Sequence, residues 1–200
     1  MAQVDFFFDF GSPNAYLAHK VIPGIEARTG AKFEYVPILL GGVFKLTNNR
    51  PPMLAFGEVK GKLAYEQRET ERFIERHAIT SFRFNPNFPV NTLVLMRMAV
   101  AAEQAGQLAS YVEAAFHHMW EEPRKMDDPA VIESALAQSG LDAKALMAAG
   151  QTPEVKQKLM DNTERAVARG VFGSPSFLVG DELYFGKDRL REVEDLLLGR

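Results

Sequence analysis

A serine followed by a proline stands where a short apolar run gives way to a helical pattern. Ser12 and Pro13 follow Gly11 and residues 4–10, a Phe-rich stretch that we predict to be a buried strand. The Ser12 hydroxyl suits the N-cap of the helix that follows, and Pro13 suits the first helical position, where its missing donor costs nothing. A helix N-terminus at the carboxyl end of a strand also favours an anion. This loop is therefore either a plain helix cap or the anion-binding part of a site.

Two later loops carry further candidates. Pro175 enters a predicted strand, where it cannot donate a ladder hydrogen bond, so it belongs on an edge or in a special turn. A cis bond between Ser174 and Pro175 would explain that place, but most X-Pro bonds are trans and the sequence leaves the isomer open. With a cis bond, the backbone of Ser174 would pair with an extended, peptide-like ligand. Lys187 and Asp188 open the last predicted helix, where an aspartate is commonly an N-cap.

The chain contains no cysteine, and this excludes several kinds of chemistry. Without cysteine there is no disulfide scaffold, no thiolate metal site and no reaction that uses a thiol of the protein itself. The net charge of −3 and the pI of about 5.9 argue against a nucleic-acid partner. No stretch is apolar enough to span a membrane, and Asp5 and Asp9 in the first apolar run argue against a signal peptide, so we expect a cytoplasmic protein.

The elements that must position these loops are of two kinds. The ends of the chain predict strands at 4–10, 32–40, 176–179 and 183–185, with helices between 12 and 30 and at 187–198. The middle predicts helices at 63–79, 91–105 and 108–121, and two more that begin at Asp128-Pro129 and Thr152-Pro153. We therefore predict an α/β, thioredoxin-like fold with a large all-helical insertion. Residues 1–45 and 169–200 would form the thioredoxin-like domain, and residues 46–168 the insertion.

Other chemically capable side chains favour structural roles. His117 and His118 are adjacent, so on a helix they point about 100° apart and are badly placed to bind one metal ion. We expect no metal site. Phe6, Phe7 and Phe8 are interpreted as core residues.

Four segments together resemble the 2-hydroxychromene-2-carboxylate isomerase family. They are DFFFDFGSPNAYLA, GGVFKLTNNRPP, NPNFPVN and GVFGSPSFLVGDELYFGKDRL, and the similarity runs from about residue 4 to residue 198. That family is similar to kappa-class glutathione transferases, and both belong to the DsbA-like thioredoxin superfamily. DsbA-like oxidoreductases have a Cys-Pro-X-Cys motif where this chain has Ser12 to Ala15, so both sulfurs are absent.

The resemblance implies that the missing sulfur comes from glutathione. Ser12 would be the catalytic residue and would donate a hydrogen bond to the glutathione thiolate. Ser174 and Pro175, together with Phe185, Lys187 and Asp188, would also bind glutathione. Many relatives have Val at position 174 and Trp near position 185, and this chain departs from both. The substrate side would be formed by Lys45 and Asn49, in the loop after the second strand, and by Phe88.

The activity implied is a glutathione-dependent cis–trans isomerisation without net redox change. The family substrate, 2-hydroxychromene-2-carboxylate, is a small aromatic carboxylate that becomes trans-o-hydroxybenzylidenepyruvate through reversible addition of the thiolate. One alternative is a kappa-class-like glutathione transferase that conjugates glutathione to electrophiles. Another is a non-catalytic thioredoxin-fold protein that binds peptides at the Pro175 edge. By analogy with the family, a homodimer is also expected.

Overall fold

The computed structural model describes residues 2–200 and confirms the predicted α/β, thioredoxin-like fold. The strands are β1 (Gln3–Phe8), β2 (Lys32–Pro37), β3 (Ser176–Val179) and β4 (Glu182–Phe185), and they form one sheet in the order β2-β1-β3-β4. Strands β1 and β2 are parallel and are joined by α1 (Pro13–Thr29), whereas β3 is antiparallel to both β1 and β4. Because β1 and β2 are parallel, the loops after both strands lie at the same edge of the sheet.

The remaining elements in residues 2–200 are helical. They are α2 (Leu40–Thr47), α3 (Pro52–Phe56), α4 (Lys62–His77), α5 (Leu93–Gln104), α6 (Leu108–Trp120), α7 (Pro129–Gln138), α8 (Ala143–Ala149), α9 (Pro153–Ala168), a single 3₁₀ turn (Lys187–Arg189) and α10 (Leu190–Leu197). None of these described helices is long and apolar enough to cross a bilayer.

The predicted helix caps are observed. The side chains of Ser12, Asp128 and Thr152 each accept a hydrogen bond from a backbone N–H in the first turn of the following helix, and each is followed by a proline. Such a cap satisfies one of the four N–H groups that a helix leaves free at its start. At its other end α1 stops at Gly30, which has a φ of 70° and so occupies the left-handed region.

The core lies between the sheet and the inserted helices. Phe6 and Phe8 are fully buried, and Phe6 stacks on Phe177 of β3 at a ring-centroid distance of 5.3 Å. Phe10 packs edge-on against Phe116 of α6 at 4.9 Å. Phe7 points to the other face of the sheet and is buried there in a second, smaller cluster. The interpretation of Phe6 to Phe8 as core residues is confirmed.

Two predicted boundaries are wrong. The second strand ends at Pro37, and residues 40–47 form α2, so Lys45 lies on a helix and not in a loop. Gly41 and Gly42 disfavour a helix in sequence terms, but Val43 is buried in the second cluster and stabilises α2 there. The first strand ends at Phe8, two residues before the predicted end. The domain boundary proposed after residue 45 falls inside α2, and the division into two domains stays a prediction.

Candidate active site

Ser12 lies at the N-terminus of α1, beside the proline loop that precedes β3. Its Oγ accepts a hydrogen bond from the Ala15 N–H at 3.2 Å and donates one to the backbone carbonyl oxygen of Ser174 at 2.9 Å. The Ser12 residue is only 5% exposed. The hydroxyl therefore has two partners within the protein, and its proton points at the proline loop.

The Ser174–Pro175 peptide bond is cis, which answers the question that the sequence left open. The loop is held on both sides. The Ser174 Oγ accepts from the Asp9 N–H at 3.2 Å, and the Pro175 carbonyl accepts from the Gly186 N–H at 2.9 Å. No hydrogen bond from the Ser174 N–H to any other part of residues 2–200 is found. A half-buried residue with a free N–H can pair with the backbone of a ligand.

Phe185 and Phe172 form an exposed aromatic pair next to this loop. Their ring centroids are 4.5 Å apart, and the two residues are 44% and 40% exposed. Gly173 packs closely on Phe185, because a Cβ added there would come within 2.6 Å of the Phe185 ring. Asn49 is attached to the same loop, since its Nδ2 donates to the Phe172 carbonyl at 2.8 Å. Phe185 and Asn49 thus both adjoin the cis-proline loop.

Lys187 and Asp188 connect to the site through the Gly186 N–H but turn their side chains elsewhere. Lys187 is buried, donates to Asp188 Oδ2 at 2.8 Å and lies 5.0 Å above the ring of Phe73 in α4. Both residues line a cavity of about 140 Å³ whose walls come from α1, α4 and the C-terminal helical segment. No wall of that cavity belongs to the Ser12 or the cis-proline loop. The two residues are therefore linked to the site only through the backbone of the adjacent Gly186, and their side chains line a different cavity.

Neither Lys45 nor Phe88 forms a hydrogen bond with the Ser12 loop or the cis-proline loop within residues 2–200. Lys45 is exposed on α2 and forms no ion pair within residues 2–200. Phe88, which precedes a second cis proline, packs on Trp120 at a centroid distance of 6.2 Å. The Trp120 Nε1 donates to the Phe10 carbonyl at 2.9 Å, two residues before Ser12. Phe88 thus reaches the site only through an aromatic contact and a hydrogen bond.

One residue at the site was missed by the sequence analysis, which used Asp9 only to argue against a signal peptide. Asp9 is fully buried, and its carboxylate accepts hydrogen bonds from Gly11, Leu40 and Thr92. Burial raises the pKa of this carboxyl group, although the three hydrogen bonds act in the opposite direction. The available signal was a single acidic residue within an otherwise apolar run, FFFDF.

The side chains of the two adjacent histidines lie closer to each other and to a carboxylate than the sequence predicts. Donor atoms of His117, His118 and Glu122 all lie within 4.8 Å of one another. However, His118 Nε2 is already paired with Ser139 Oγ at 2.9 Å, and Arg124 lies 3.6 Å from the Glu122 carboxylate. A guanidinium beside the carboxylate disfavours a cation there. The expectation of no metal site stays a prediction.

Comparisons with known proteins agree with this architecture. Residues 3–198 match the DSBA-like thioredoxin domain family. Over 198 residues the chain is 30% identical to the 2-hydroxychromene-2-carboxylate isomerase of Sphingobium xenophagum, and the alignment covers 98% of this chain and 97% of that protein. It is 25% identical to glutathione S-transferase kappa 1 of Caenorhabditis elegans over 215 residues, covering 98% and 91%.

A solved structure gives the same result in three dimensions. A 2-hydroxychromene-2-carboxylate isomerase superposes with a TM-score of 0.83 at 26% sequence identity, covering 98% of this chain and 95% of that one. The similarity in sequence and in structure extends over nearly the whole chain, including all three loops of the candidate site. The chain therefore belongs to the DsbA-like thioredoxin family and, within it, to the family of the 2-hydroxychromene-2-carboxylate isomerases.

Proposed function

We propose that the protein is a glutathione-dependent isomerase that converts 2-hydroxychromene-2-carboxylate to trans-o-hydroxybenzylidenepyruvate. The observation that carries this proposal is the pairing of Ser12 with Ser174 beside the cis proline in a chain without cysteine. A thioredoxin-like site with a hydroxyl in place of a thiol cannot exchange disulfides, because that reaction requires a thiolate of the protein. The site is instead suited to hold the thiolate of a ligand.

The residues present fit glutathione. The free N–H of Ser174, next to a carbonyl, matches the backbone of a cysteinyl residue. The side chain of Asp188 is 51% exposed and would meet an ammonium group after it turns from its ion pair with Lys187 toward the site. Bound glutathione would supply a soft nucleophile that adds reversibly to a conjugated carbon and so frees rotation about the former double bond.

Ser12 must change its hydrogen-bond partner to act on a thiolate. Its proton now goes to the Ser174 carbonyl, so the hydroxyl has to turn from that oxygen toward the sulfur. The carbonyl is then free to accept a backbone N–H from the ligand, so one donor replaces another. The hydroxyl and the N-terminus of α1 together favour the anionic form of the thiol, since free thiols have a pKa of about 8.5.

The substrate side of the proposal rests on α2, Asn49 and Phe88, while the exposed aromatic pair adjoins the glutathione side through Phe185. Lys45 would attract the substrate carboxylate, and Asn49 keeps the end of α2 against the Phe172 carbonyl. Phe185 and Phe172 offer exposed ring surface beside the cis-proline loop. Phe88 would contribute from the aromatic cluster around Trp120.

A kappa-type glutathione transferase is the second candidate, and the similarity to glutathione S-transferase kappa 1 supports it. The two activities use the same thiolate and differ in the fate of the adduct. An isomerase eliminates the thiol again, whereas a transferase releases a stable thioether.

Two measurements on the intact protein test the proposal. The first is calorimetric titration with glutathione, for which we expect saturable binding; no binding at millimolar ligand would overturn both enzyme functions. The second is turnover of 2-hydroxychromene-2-carboxylate with and without glutathione, followed by product analysis. Accumulation of a thioether identifies the transferase. Weak or absent glutathione binding without either reaction is the outcome that the non-catalytic peptide-binding alternative predicts.

Location and assembly complete the proposal. We expect the protein to act in the cytoplasm, where glutathione is available as a reduced thiol. We also expect a homodimer, and sedimentation at micromolar concentration tests this directly. A monomer under those conditions would contradict the expected assembly without affecting the proposed chemistry.

A further inference from the structure

The carboxylate of Asp9 is bound by three separate segments of the chain. Oδ1 accepts from the Gly11 N–H at 2.8 Å and from the Thr92 hydroxyl at 2.7 Å, and Oδ2 accepts from the Leu40 N–H at 2.8 Å. Asp9 is 0% exposed, so water does not compete for these bonds. A buried carboxylate is costly unless such donors compensate for its lost hydration, and the three donors do so here.

Two of these three segments carry parts of the proposed site. Gly11 precedes Ser12, whose N–H donates to the Asp9 carbonyl at 3.0 Å. Leu40 is the first residue of α2, which carries Lys45. Thr92 directly precedes α5. The two oxygens thus bind different segments. Oδ1 accepts hydrogen bonds from the Ser12 loop and from Thr92, and Oδ2 accepts one from the start of α2.

Helix α2 depends on this contact because it has no N-cap of its own. Its N-cap residue is Leu39, which offers no side-chain acceptor. Two residues from elsewhere replace the cap: Thr163 Oγ1 accepts from the Leu39 N–H at 3.0 Å, and Asp9 Oδ2 accepts from the Leu40 N–H. An anion at a helix start is also favoured by the helix dipole.

Gly11 permits the close approach of the carboxylate to its loop. A Cβ at this position would lie 3.3 Å from Asp9 Oδ1 and 3.2 Å from the Thr92 methyl group. The loop before Ser12 is thereby packed directly on the carboxylate. A change at Asp9 is therefore transmitted to its partners without intervening side chains.

We propose that Asp9 is a positioning residue that sets where α2, and with it the substrate-binding Lys45, lies relative to the thiol-binding Ser12 loop. This inference rests on the proposed function for its meaning in catalysis. It predicts that a mutation can disrupt the hydrogen bond of Oδ2 and keep those of Oδ1, because the two oxygens bind different parts of the site.

Asp9→Asn changes one of the two oxygens to an NH₂ group and so affects their hydrogen bonds differently. The amide can keep its oxygen at the Oδ1 position, where two donors need an acceptor, only by presenting its NH₂ group to the Leu40 N–H. Two donors then face each other at α2 while the Ser12 loop keeps its bonds. We expect the KM for the carboxylate substrate to rise about tenfold and the Kd for glutathione to stay within about twofold of the wild-type value.

Tyr111→Phe is the matched control. It removes a buried hydrogen bond of similar length, from the Tyr111 hydroxyl to the Leu95 carbonyl at 2.8 Å, between α5 and α6. It should lower stability and leave both constants unchanged. If Asp9→Asn changes neither constant, or raises KM and Kd equally, the positioning role is wrong.

A second measurement does not depend on catalysis. Because the chain has no cysteine, spin labels can be attached to Ala27→Cys on α1 and Leu46→Cys on α2 without background. Asp9→Asn should broaden the distance distribution between these labels and leave that between Ala27→Cys and Gln157→Cys on α9 unchanged. An unchanged first distribution overturns the inference. Absence of glutathione binding and turnover in the wild type, with the first distribution still broadened, overturns only the proposed function.

A third variant covers the case in which Asp9→Asn does not fold. Thr163→Val removes the acceptor of the neighbouring Leu39 N–H and loosens the same end of α2. It must raise the substrate KM in the same way and leave the Kd for glutathione unchanged. If it folds and leaves KM at the wild-type value, the position of α2 does not control substrate binding.

Discussion

The hydroxyl of Ser12 donates its proton to the carbonyl of Ser174, which is 162 residues farther along the chain, at 2.9 Å. Two loops from opposite ends of the sequence are thereby joined at one edge of the sheet. Both atoms of this bond are groups that an extended thiol peptide would use. Under the proposed function, ligand binding would exchange the partners of this hydrogen bond, while the Ser174 N–H, which has no partner within residues 2–200, would gain one.

Replacement of Ser12 tests the proposed role of its hydroxyl. Ser12→Ala should lower kcat/KM for the isomerisation at least about tenfold, since a hydrogen bond to a charged group contributes about 1.5–3 kcal/mol. The same change removes the N-cap of α1, which costs about 1 kcal/mol of stability. Asp128→Ala removes the N-cap of α7 only and should reduce stability similarly with activity retained. Full activity of Ser12→Ala in a steady-state assay would refute the proposed role.

The charge on Lys45 should matter for the substrate and not for glutathione. Lys45→Gln removes an exposed cation from α2 and should raise the KM for a carboxylate substrate about threefold, with less effect at high salt because exposed charges are screened. The Kd for glutathione should not change. Lys32→Gln, at the start of β2 and thus at the opposite end of that strand, is the control. Equal effects of both variants would show that only net charge matters.

The contact between Gly173 and Phe185 predicts a coupled pair. Gly173→Ala places a methyl group within 2.6 Å of the Phe185 ring, so the ring must shift and its packing on Phe172 must change. If Phe185 helps to bind glutathione, the Kd should increase several-fold. In a Phe185→Ala background the same alanine should have no further effect, because no ring is left to displace. Additive changes in a calorimetric double-mutant cycle would contradict this.

An ion pair between α1 and α6 predicts part of the acid sensitivity of the fold. The hydrogen bond from His19 at 2.8 Å, together with the charge and the hydrogen bond of Lys20, lowers the pKa of Glu113 from the ordinary value of 4.5 to about 2. A depressed pKa in the folded state stabilises the protein above pH 4.5, and this contribution is lost as the pH falls toward 2. The carboxylate is 59% exposed, so the effect should be well below 1 kcal/mol.

Glu113→Gln should therefore flatten the decrease in unfolding free energy between pH 4.5 and 2. Denaturant titrations at several pH values measure this slope directly. Glu103→Gln, at an exposed position near the end of α5, serves as the control and should leave the slope as in the wild type. A slope that is equally steep in Glu113→Gln would contradict the assignment.

Much of the fold follows from local patterns in the sequence. Residues such as Pro13 and Asp128 mark helix starts, and a short apolar run marks strand β3, because caps and short apolar runs are local signals. Helix α2 could not be predicted in this way. Its two glycines oppose a helix, and its free N–H groups are satisfied by Asp9 and Thr163, which are distant in sequence.

The candidate site was predictable to a similar extent. Ser12 is predicted from a helix-cap signature, and Pro175 from a proline at the start of a strand. The family resemblance supports both. Asp9 was not found, because a single acidic residue in an apolar run has no meaning until the donors around it are known. The direction of the Lys187 side chain, toward Phe73 and away from Ser12, likewise depends on tertiary packing with α4.

A hydroxyl at position 12 has a consequence for how such an enzyme responds to oxidative stress. Thiol enzymes are inactivated when their own cysteine becomes a sulfenic acid or a mixed disulfide. This chain offers no cysteine to either reaction. Under the proposed function its rate would instead depend on the concentration of reduced glutathione. Oxidants would slow the reaction by consuming that soluble thiol. The polypeptide itself would stay unmodified at this position and would regain its activity once reduced glutathione is restored.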